Sequence, residues 1–86
     1  MLRYTRPIEY NIIAKLIPPR SSVLDLGCGS GELLARLVKE RQVRAQGMEI
    51  DEEKIYSCVC KGLSVLHENI EEGILEYRDK AFDYVV

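Results

Sequence analysis

The chain has 86 residues, of which 47% are hydrophobic and 30% are charged, and its formal net charge is -2. This composition excludes a disordered tail, because it supplies enough apolar surface for a core. The lack of a basic excess argues against a nucleic-acid-binding protein. The apolar runs are too short to span a membrane, and the N-terminal stretch MLRYTRPIEY lacks the apolar region of a secretory signal.

Helix-like and strand-like segments alternate along the chain. The first helix is predicted with Thr5 as its N-cap and Pro7 in its first turn, where a missing N–H costs nothing. It should end before Pro18 and Pro19. Its apolar stripe, which we expect to face the core, comprises Ile8, Ile12, Ile13, Leu16 and Ile17.

Four short apolar runs are predicted to be strands, with two further helices between them. The second helix begins at Gly31 and extends to about Glu40. The third is capped by Asp51 and ends before Gly62, while residues 70–77 are ambiguous and could form one short helical turn. The predicted strands are 23–26, 45–50, 63–67 and 82–86, and the inward side chains of the second helix are Leu33, Leu34, Leu37 and Val38.

This alternation predicts βαβ units and a parallel sheet with right-handed crossovers. The expected fold is therefore α/β, a doubly wound sheet with helices on both faces that forms a three-layer sandwich. In such sheets, ligands bind beyond the carboxyl ends of the strands. The stretch VLDLGCGSGELL, residues 23–34, lies at such an end.

Three alternating glycines at 27, 29 and 31 form what we call the glycine loop (residues 27–31). They allow a tight turn, a close backbone approach to a ligand and tight packing of helix on strand. The following helix N-terminus presents free N–H groups. A plain strand–helix turn normally needs one glycine, so three of them, with Asp25 ahead, favour a ligand site.

The spacing Gly-x-Gly-x-Gly differs from the dinucleotide fingerprint, which disfavours a nicotinamide cofactor. About twenty residues further on, the second strand ends at Glu49, whose carboxylate can accept both hydrogen bonds of a ribose diol. Glu49 therefore favours a nucleoside ligand. A solvated residue at a strand end is the alternative.

The three cysteines suit a reducing compartment, and we expect a cytoplasmic protein. Cys58 and Cys60 lie two residues apart on a predicted helix, so their side chains should point about 200° apart. No histidine or further cysteine stands at a zinc-like spacing from them. We therefore expect half-buried cysteines rather than a metal site.

The stretch VLDLGCGSGELL followed by GMEID is similar to motif I and the acidic loop of class I S-adenosylmethionine-dependent methyltransferases. Longer stretches resemble the N-terminal part of the MetW family of methionine-biosynthesis proteins. These are LIPPRSSVLDLGCGSGELLARL, QGMEIDEEKIYSCVCKGLSVLHENIEEGI and FDYVV. The resemblance implies a Rossmann-like sheet with strand order 3-2-1-4, cut after its N-terminal half, and S-adenosylmethionine as the cofactor.

The resemblance also implies roles for single residues. Asp25 would orient the amino end of the cofactor's methionine portion, and the backbone at Gly27 and Gly29 would approach that portion. Glu49 would bind the ribose. The full set of predicted cofactor-binding residues is Asp25, Gly27, Cys28, Gly29, Gly31, Glu49, Ile50, Asn69 and Ile70.

At the adenine end, Ile50 would pack on the ring and the Ile70 N–H could donate to a ring nitrogen. Asn69 stands where the family usually has an aspartate that accepts from the adenine amino group. The amide oxygen of Asn69 can still accept, but the bond becomes a neutral one. No catalytic residue is predicted, and Arg3, Tyr4, Arg6 and His67 are left without a role.

Two functions are implied. The first is an S-adenosylmethionine-dependent methyltransferase of methionine biosynthesis. The second is a non-catalytic S-adenosylmethionine-binding module that assists a homoserine acyltransferase. We expect residues 1–86 to be the cofactor-binding part of one methyltransferase-like domain, without the acceptor half and inactive alone. We also expect self-association through the edge strand at 82–86.

Overall fold

A computed structural model of the chain describes residues 6–72 and 82–86. The predictions for Arg3, Tyr4 and the N-cap Thr5 therefore lie outside the described residues. The same holds for the side chains of Arg6 and Ile8 and for the predicted turn beyond residue 72. None of the described helices has the length and apolar character that crossing a bilayer requires. In chain order, the elements are α1 (Arg6–Leu16), β1 (Ser22–Leu26), α2 (Glu32–Arg41), β2 (Arg44–Glu49), α3 (Glu52–Cys60), β3 (Val65–His67) and β4 (Tyr84–Val85).

The four strands form one parallel sheet in the order β3-β2-β1-β4. Val23 on β1 lies opposite Ala45 of β2 on one side and Tyr84 of β4 on the other. The side chains of Val23 and Leu24 are buried, as expected of a central strand. This arrangement confirms the α/β, Rossmann-like fold and the strand order 3-2-1-4.

β4 begins beside β1 through a paired contact between Asp83 and Ser22. The backbone N–H of Ser22 donates to Asp83 Oδ2 at 2.9 Å, and the N–H of Asp83 donates to the Ser22 carbonyl at 3.0 Å. Within the described ranges β4 is the outer strand of the sheet, and Val85 is 56% exposed. Self-association through this segment stays a prediction.

β3 starts later than the sequence predicts because the end of α3 takes up the preceding residues. The Gly62 N–H donates to the Val59 carbonyl at 2.9 Å, and the Leu63 N–H donates to the Cys58 carbonyl at 3.0 Å. Gly62 has φ +78°. This pattern is a Schellman motif, in which the residue after the glycine still serves the helix. Leu63 therefore belongs to the helix end, and the strand begins at Val65.

The predicted apolar stripe of α1 is partly wrong. Ala14 and Ile17 are buried, whereas Ile12 is 53% and Leu16 is 71% exposed. At about 100° per residue, positions 12 and 16 lie on the side of the helix away from 14 and 17. The prediction combined two rows of apolar residues into one stripe. Within each row the residues are four positions apart, and the buried row is the one that faces α2.

α2 turns Leu33, Leu34 and Leu37 into the core as predicted, but Val38 is 39% exposed. Val38 lies about 90° around the helix from the centre of the buried face, so it stays at the edge of the contact. Arg41 on the last turn donates from Nε to the Ala14 carbonyl at 2.7 Å and so joins α2 to the end of α1. The buried core comprises Ala14, Ile17, Val23, Cys28, Leu33, Leu34, Leu37, Val43, Cys58 and Leu63.

Candidate functional site

A cavity of about 520 Å³ opens at the carboxyl ends of β1 and β2. This volume lies in the range of small-molecule sites, and the position is the one at which parallel α/β sheets bind ligands. Five of the nine predicted site residues line it, namely Gly27, Glu49, Ile50, Asn69 and Ile70. The sequence did not single out Met48, Glu68 and Glu71, which also line it.

Gly29 adopts a backbone conformation that side chains rarely tolerate, with φ +60°. Among the described residues, a Cβ added at Gly29 would meet no atom within 4 Å. A Cβ added at Gly27 would lie 3.8 Å from Ile70 Cδ1 across the cavity. Among the described residues, Gly27 and Gly29 thus leave space beside their backbone, which is what close approach of a ligand needs.

Gly31 is a glycine for a different reason. A Cβ there would lie 2.5 Å from Leu63 Cδ1 and 2.9 Å from Cys58 Sγ. Gly31 is also the N-cap of α2, with φ +86°. Packing against the end of α3 therefore excludes a side chain at this position, and the predicted ligand contact at Gly31 stays a prediction.

Glu49 connects the glycine loop to the corner between β2 and α3. Its Oε1 accepts from the Gly29 N–H at 2.8 Å, and its Oε2 accepts from the N–H groups of Ile50 and Asp51, both at 3.0 Å. A carboxylate oxygen has two lone pairs, so Oε1 can accept a second bond from a ligand hydroxyl. Glu49 is therefore built into the site rather than simply solvated.

The hydrogen bonds to Glu49 also set its charge state. Partial burial raises the pKa of Glu49, but the hydrogen bonds and a nearby cation outweigh this effect and hold the pKa below its usual 4.5. The lowering contributions come from the backbone N–H groups of Asp51, Gly29 and Ile50 and from the charge of Lys54. Glu49 is consequently a carboxylate at neutral pH.

Asn69 has its amide orientation fixed by Glu72. Its Oδ1 accepts from the Glu72 N–H at 2.8 Å, and its Nδ2 donates to Glu72 Oε1 at 2.6 Å. Residues 70–72 are helical, so Asn69 is their N-cap. An aspartate at 69 would face the Glu72 carboxylate at this distance, which gives a local reason for asparagine here.

Asp25 lies near the carboxyl end of β1, opposite Gly47 of β2, and is 8% exposed. Cys28 turns its side chain to the core, since a Cβ added at Gly47 would lie 2.7 Å from Cys28 Sγ. Neither side chain is among those that line the cavity. Their predicted cofactor contacts stay predictions, and Cys28 could make one only through its backbone.

The three cysteines differ sharply in environment. The prediction of half-buried cysteines is wrong: Cys28 and Cys58 are buried with their Sγ atoms 3.9 Å apart, whereas Cys60 is exposed. The predicted angle of about 200° between Cys58 and Cys60 is the reason that only one of the two can face the core. Burial, followed by the neighbouring Cys58, Asp25 and Glu49, raises the pKa of Cys28 to about 12. Within residues 6–72 and 82–86, no cluster of three or more histidine, cysteine or acidic side chains could hold a metal.

We expect iodoacetamide at neutral pH to modify Cys60 in the folded chain and to leave Cys28 and Cys58 unmodified. The attacking species is the thiolate, and burial raises the pKa of Cys28. The side chains of Cys28 and Cys58 are also buried, so the reagent does not reach them in the folded chain. Mass spectrometry of tryptic peptides checks this, and in denaturant all three cysteines should react. Labelling of Cys28 as fast as that of Cys60 would contradict the described packing.

Solved structures with the same fold define the class of protein. An S-adenosylmethionine-dependent methyltransferase from Archaeoglobus fulgidus is 32% identical with a TM-score of 0.71, over 93% of this chain and 37% of that chain. TrmK from M. capricolum, in complex with S-adenosylhomocysteine, shares the fold at 22% identity and a TM-score of 0.68, over 90% and 38% of the two chains. The glycine loop and Glu49 thus lie on a methyltransferase-type Rossmann-like fold.

The family is narrower than this class. The family profile described as methionine biosynthesis protein MetW matches residues 7–86. A bifunctional methionine biosynthesis protein MetXA/MetW from Rhodopirellula baltica is 32% identical over 90 residues, which cover 95% of this chain and 14% of the relative. The chain belongs to the MetW family. It spans about a seventh of the length of that relative.

Proposed function

We propose that the chain binds S-adenosylmethionine in the cavity at the carboxyl ends of β1 and β2. The observation that carries the proposal is the 2.8 Å bond between the Gly29 N–H and Glu49 Oε1. It brings a glycine backbone with open space beside it next to a carboxylate that can accept from a ribose hydroxyl. The Archaeoglobus methyltransferase, at 32% identity, supports the same cofactor class.

Each part of the cofactor has matching residues in the cavity or beside it. The methionine portion would lie against the backbone of Gly27, which lines the cavity, and of Gly29 beside it, and the ribose would donate to Glu49. The adenine would lie near Ile50 and Ile70, which are 61% and 46% exposed although both are large and apolar. Covering these two side chains with an aromatic ring would remove apolar surface from water and so favour binding.

The predicted reaction is methyl transfer in methionine biosynthesis. S-adenosylmethionine supplies an activated methyl group on a sulfonium, so the protein chiefly has to hold donor and acceptor in alignment. We assign residues 1–86 to the cofactor-binding part of one methyltransferase-like domain. In keeping with this, the chain spans 37% of the Archaeoglobus methyltransferase. The methyl acceptor is unassigned.

A second candidate function has an observation of its own. In the Rhodopirellula relative, the names MetXA and MetW are joined in one bifunctional chain. This joining supports an association with the MetXA activity. We propose as the second candidate a non-catalytic module that binds S-adenosylmethionine and assists a homoserine acyltransferase. Co-expression with such an acyltransferase separates the two candidates. Co-purification with a cofactor-dependent change in acyltransferase rate favours the module, and methyl transfer to a pathway metabolite favours the enzyme.

Calorimetric titration tests the proposed ligand. We expect saturable binding of one S-adenosylmethionine per chain, binding of S-adenosylhomocysteine in competition with it, and no saturable binding of NAD. The NAD arm serves as the control for a general nucleotide site, because the glycine spacing is not that of the dinucleotide fingerprint. Tighter binding of NAD than of S-adenosylmethionine would contradict the proposal.

The pairing of Asn69 with Glu72 gives a further prediction. Asn69→Asp alone should weaken S-adenosylmethionine binding about two- to fivefold, because the new carboxylate faces Glu72. Combining it with Glu72→Gln should restore binding to at least the original affinity, since a charged acceptor then meets the adenine amino group. Calorimetry on Asn69→Asp, on Glu72→Gln alone and on the double variant completes the cycle. Tighter binding by Asn69→Asp alone would show that Glu72 does not control this position.

A further inference from the structure

Two side chains at the end of α3 donate hydrogen bonds to carbonyl oxygens of the glycine loop. Lys61 Nζ donates to the Ser30 carbonyl at 2.8 Å, and Cys58 Sγ donates to the Gly29 carbonyl at 3.1 Å. The partners are 31 and 29 positions apart in the sequence. Neither Lys61 nor Cys58 is among the residues that line the cavity.

These bonds complete a set that fixes the Gly29 residue from both sides. Its N–H donates to Glu49 on the β2 side, and its carbonyl accepts from Cys58 on the α3 side. Gly29 also has φ +60°. Glycine populates positive and negative φ about equally, so its own backbone preference does not select this conformation. Tertiary contacts therefore have to select the loop conformation that leaves space for a ligand.

The end of α3 is well suited to hold the two donors. The Schellman motif at Gly62 and Leu63 fixes the last turn of the helix. Cys58 is fully buried against Gly31, so its thiol has little freedom. Lys61 also donates from Nζ to Ser57 Oγ at 3.0 Å, which holds the ammonium above the loop.

We propose that Lys61 and Cys58 are positioning residues that hold the Gly29 and Ser30 carbonyls on the α3 side of the glycine loop. In this arrangement, the two carbonyl oxygens accept hydrogen bonds from the end of α3 and do not point toward a bound ligand. The ligand's identity rests on the proposed function, whereas the effect on the loop itself does not.

The test compares Lys61→Met, which keeps an apolar stem without a donor, with Lys61→Arg, which keeps a charged donor. Lys39→Met on the exposed side of α2 is the matched control for loss of one positive charge. We expect Lys61→Met to bind S-adenosylmethionine about three- to tenfold more weakly. Lys61→Arg should stay within about twofold of the unaltered chain, and Lys39→Met should be unchanged.

Amide hydrogen exchange of the free protein gives a readout that does not depend on the ligand. The Gly29 and Gly31 N–H groups bond to Glu49 and to the Cys28 carbonyl, so their exchange reports the loop conformation. Both should exchange faster in Lys61→Met than in Lys61→Arg or Lys39→Met. Cys58→Ala should show the same increase, with Cys60→Ala as its exposed control; if Cys58→Ala does not fold, the Lys61 variants decide.

Unchanged exchange at Gly29 and Gly31 in Lys61→Met would overturn the proposal, as would a Lys61→Arg variant that behaves like Lys61→Met. A chain that fails to bind S-adenosylmethionine at all would contradict the proposed function instead. Faster exchange in Lys61→Met would then still support the positioning role. The two failures are therefore distinguishable.

Discussion

Replacement of Gly29 by valine is expected to lower the affinity for S-adenosylmethionine more than about a hundredfold, a loss of about 2.7 kcal/mol. A branched side chain at this position would occupy the open space beside the backbone, where among the described residues no atom lies within 4 Å. The site would lose the close approach on which ligand binding depends. Calorimetric titration measures the affinity, and circular dichroism shows whether the variant is folded.

The matched control for this variant is Gly62→Val. Gly62 has φ +78°, and among the described residues a Cβ added there also meets no atom within 4 Å. It lies at the end of α3, whereas the N–H of Gly29 donates to Glu49, which lines the cavity. Both variants should lose about 1–2 kcal/mol of folding stability, because left-handed backbone disfavours side chains. Only Gly29→Val should lose binding. Equal affinities for the two folded variants would mean that the ligand does not approach Gly29.

Loss of the carboxylate in Glu49→Ala is expected to weaken S-adenosylmethionine binding by about 1.5–3 kcal/mol, the range for hydrogen bonds to a charged group. The same substitution removes the acceptor of the Gly29 N–H, so the amide of Gly29 should also exchange faster in the free protein. Glu52→Ala, in the first turn of α3, removes an equal charge from an exposed position and should change neither quantity. An unchanged affinity in Glu49→Ala would exclude it as the ribose acceptor.

The hydrogen bonds to Glu49 should also make the folding stability of the ligand-free chain depend on pH. The pKa of Glu49 is below its usual 4.5 in the folded chain, so its contribution to folding is fully present above that value. The contribution is then lost as the pH falls through the lowered pKa. The free energy of unfolding should therefore fall more steeply in acid for the unaltered chain than for Glu49→Gln, which denaturant titrations at several pH values measure. Parallel curves would contradict this.

The position of the site follows from the sequence because parallel strands end at the same edge of a sheet. That rule alone places Gly29 near Glu49, although they are 20 residues apart. Their direct hydrogen bond could not be predicted, since it depends on the φ values of the glycine loop. The contacts of Lys61 and Cys58 with the glycine loop could not be predicted from the sequence either, because they depend on where α3 ends.

The errors in the predicted helix faces have a common cause. Apolar residues spaced four apart occur on two sides of α1, and periodicity alone does not tell which side meets α2. Ile12 and Leu16 fit the helical period, yet they are exposed. Ala14 and Ile17 are the residues that are buried. At Asn69, the departure from the family pattern was visible in the sequence, but its partner Glu72 became evident only from the geometry.

An NMR titration of the amide-labelled chain with S-adenosylhomocysteine tests the location of the site most directly. We predict that the largest saturable shifts fall on the amides of Gly27, Ile50 and Ile70, which line the cavity, and on those of Gly29 and Asp51, which donate to Glu49. Amides at the opposite edge of the sheet, such as Ser22 and Arg44, should move little. Saturable shifts confined to that opposite edge, or no shifts at all, would contradict the account.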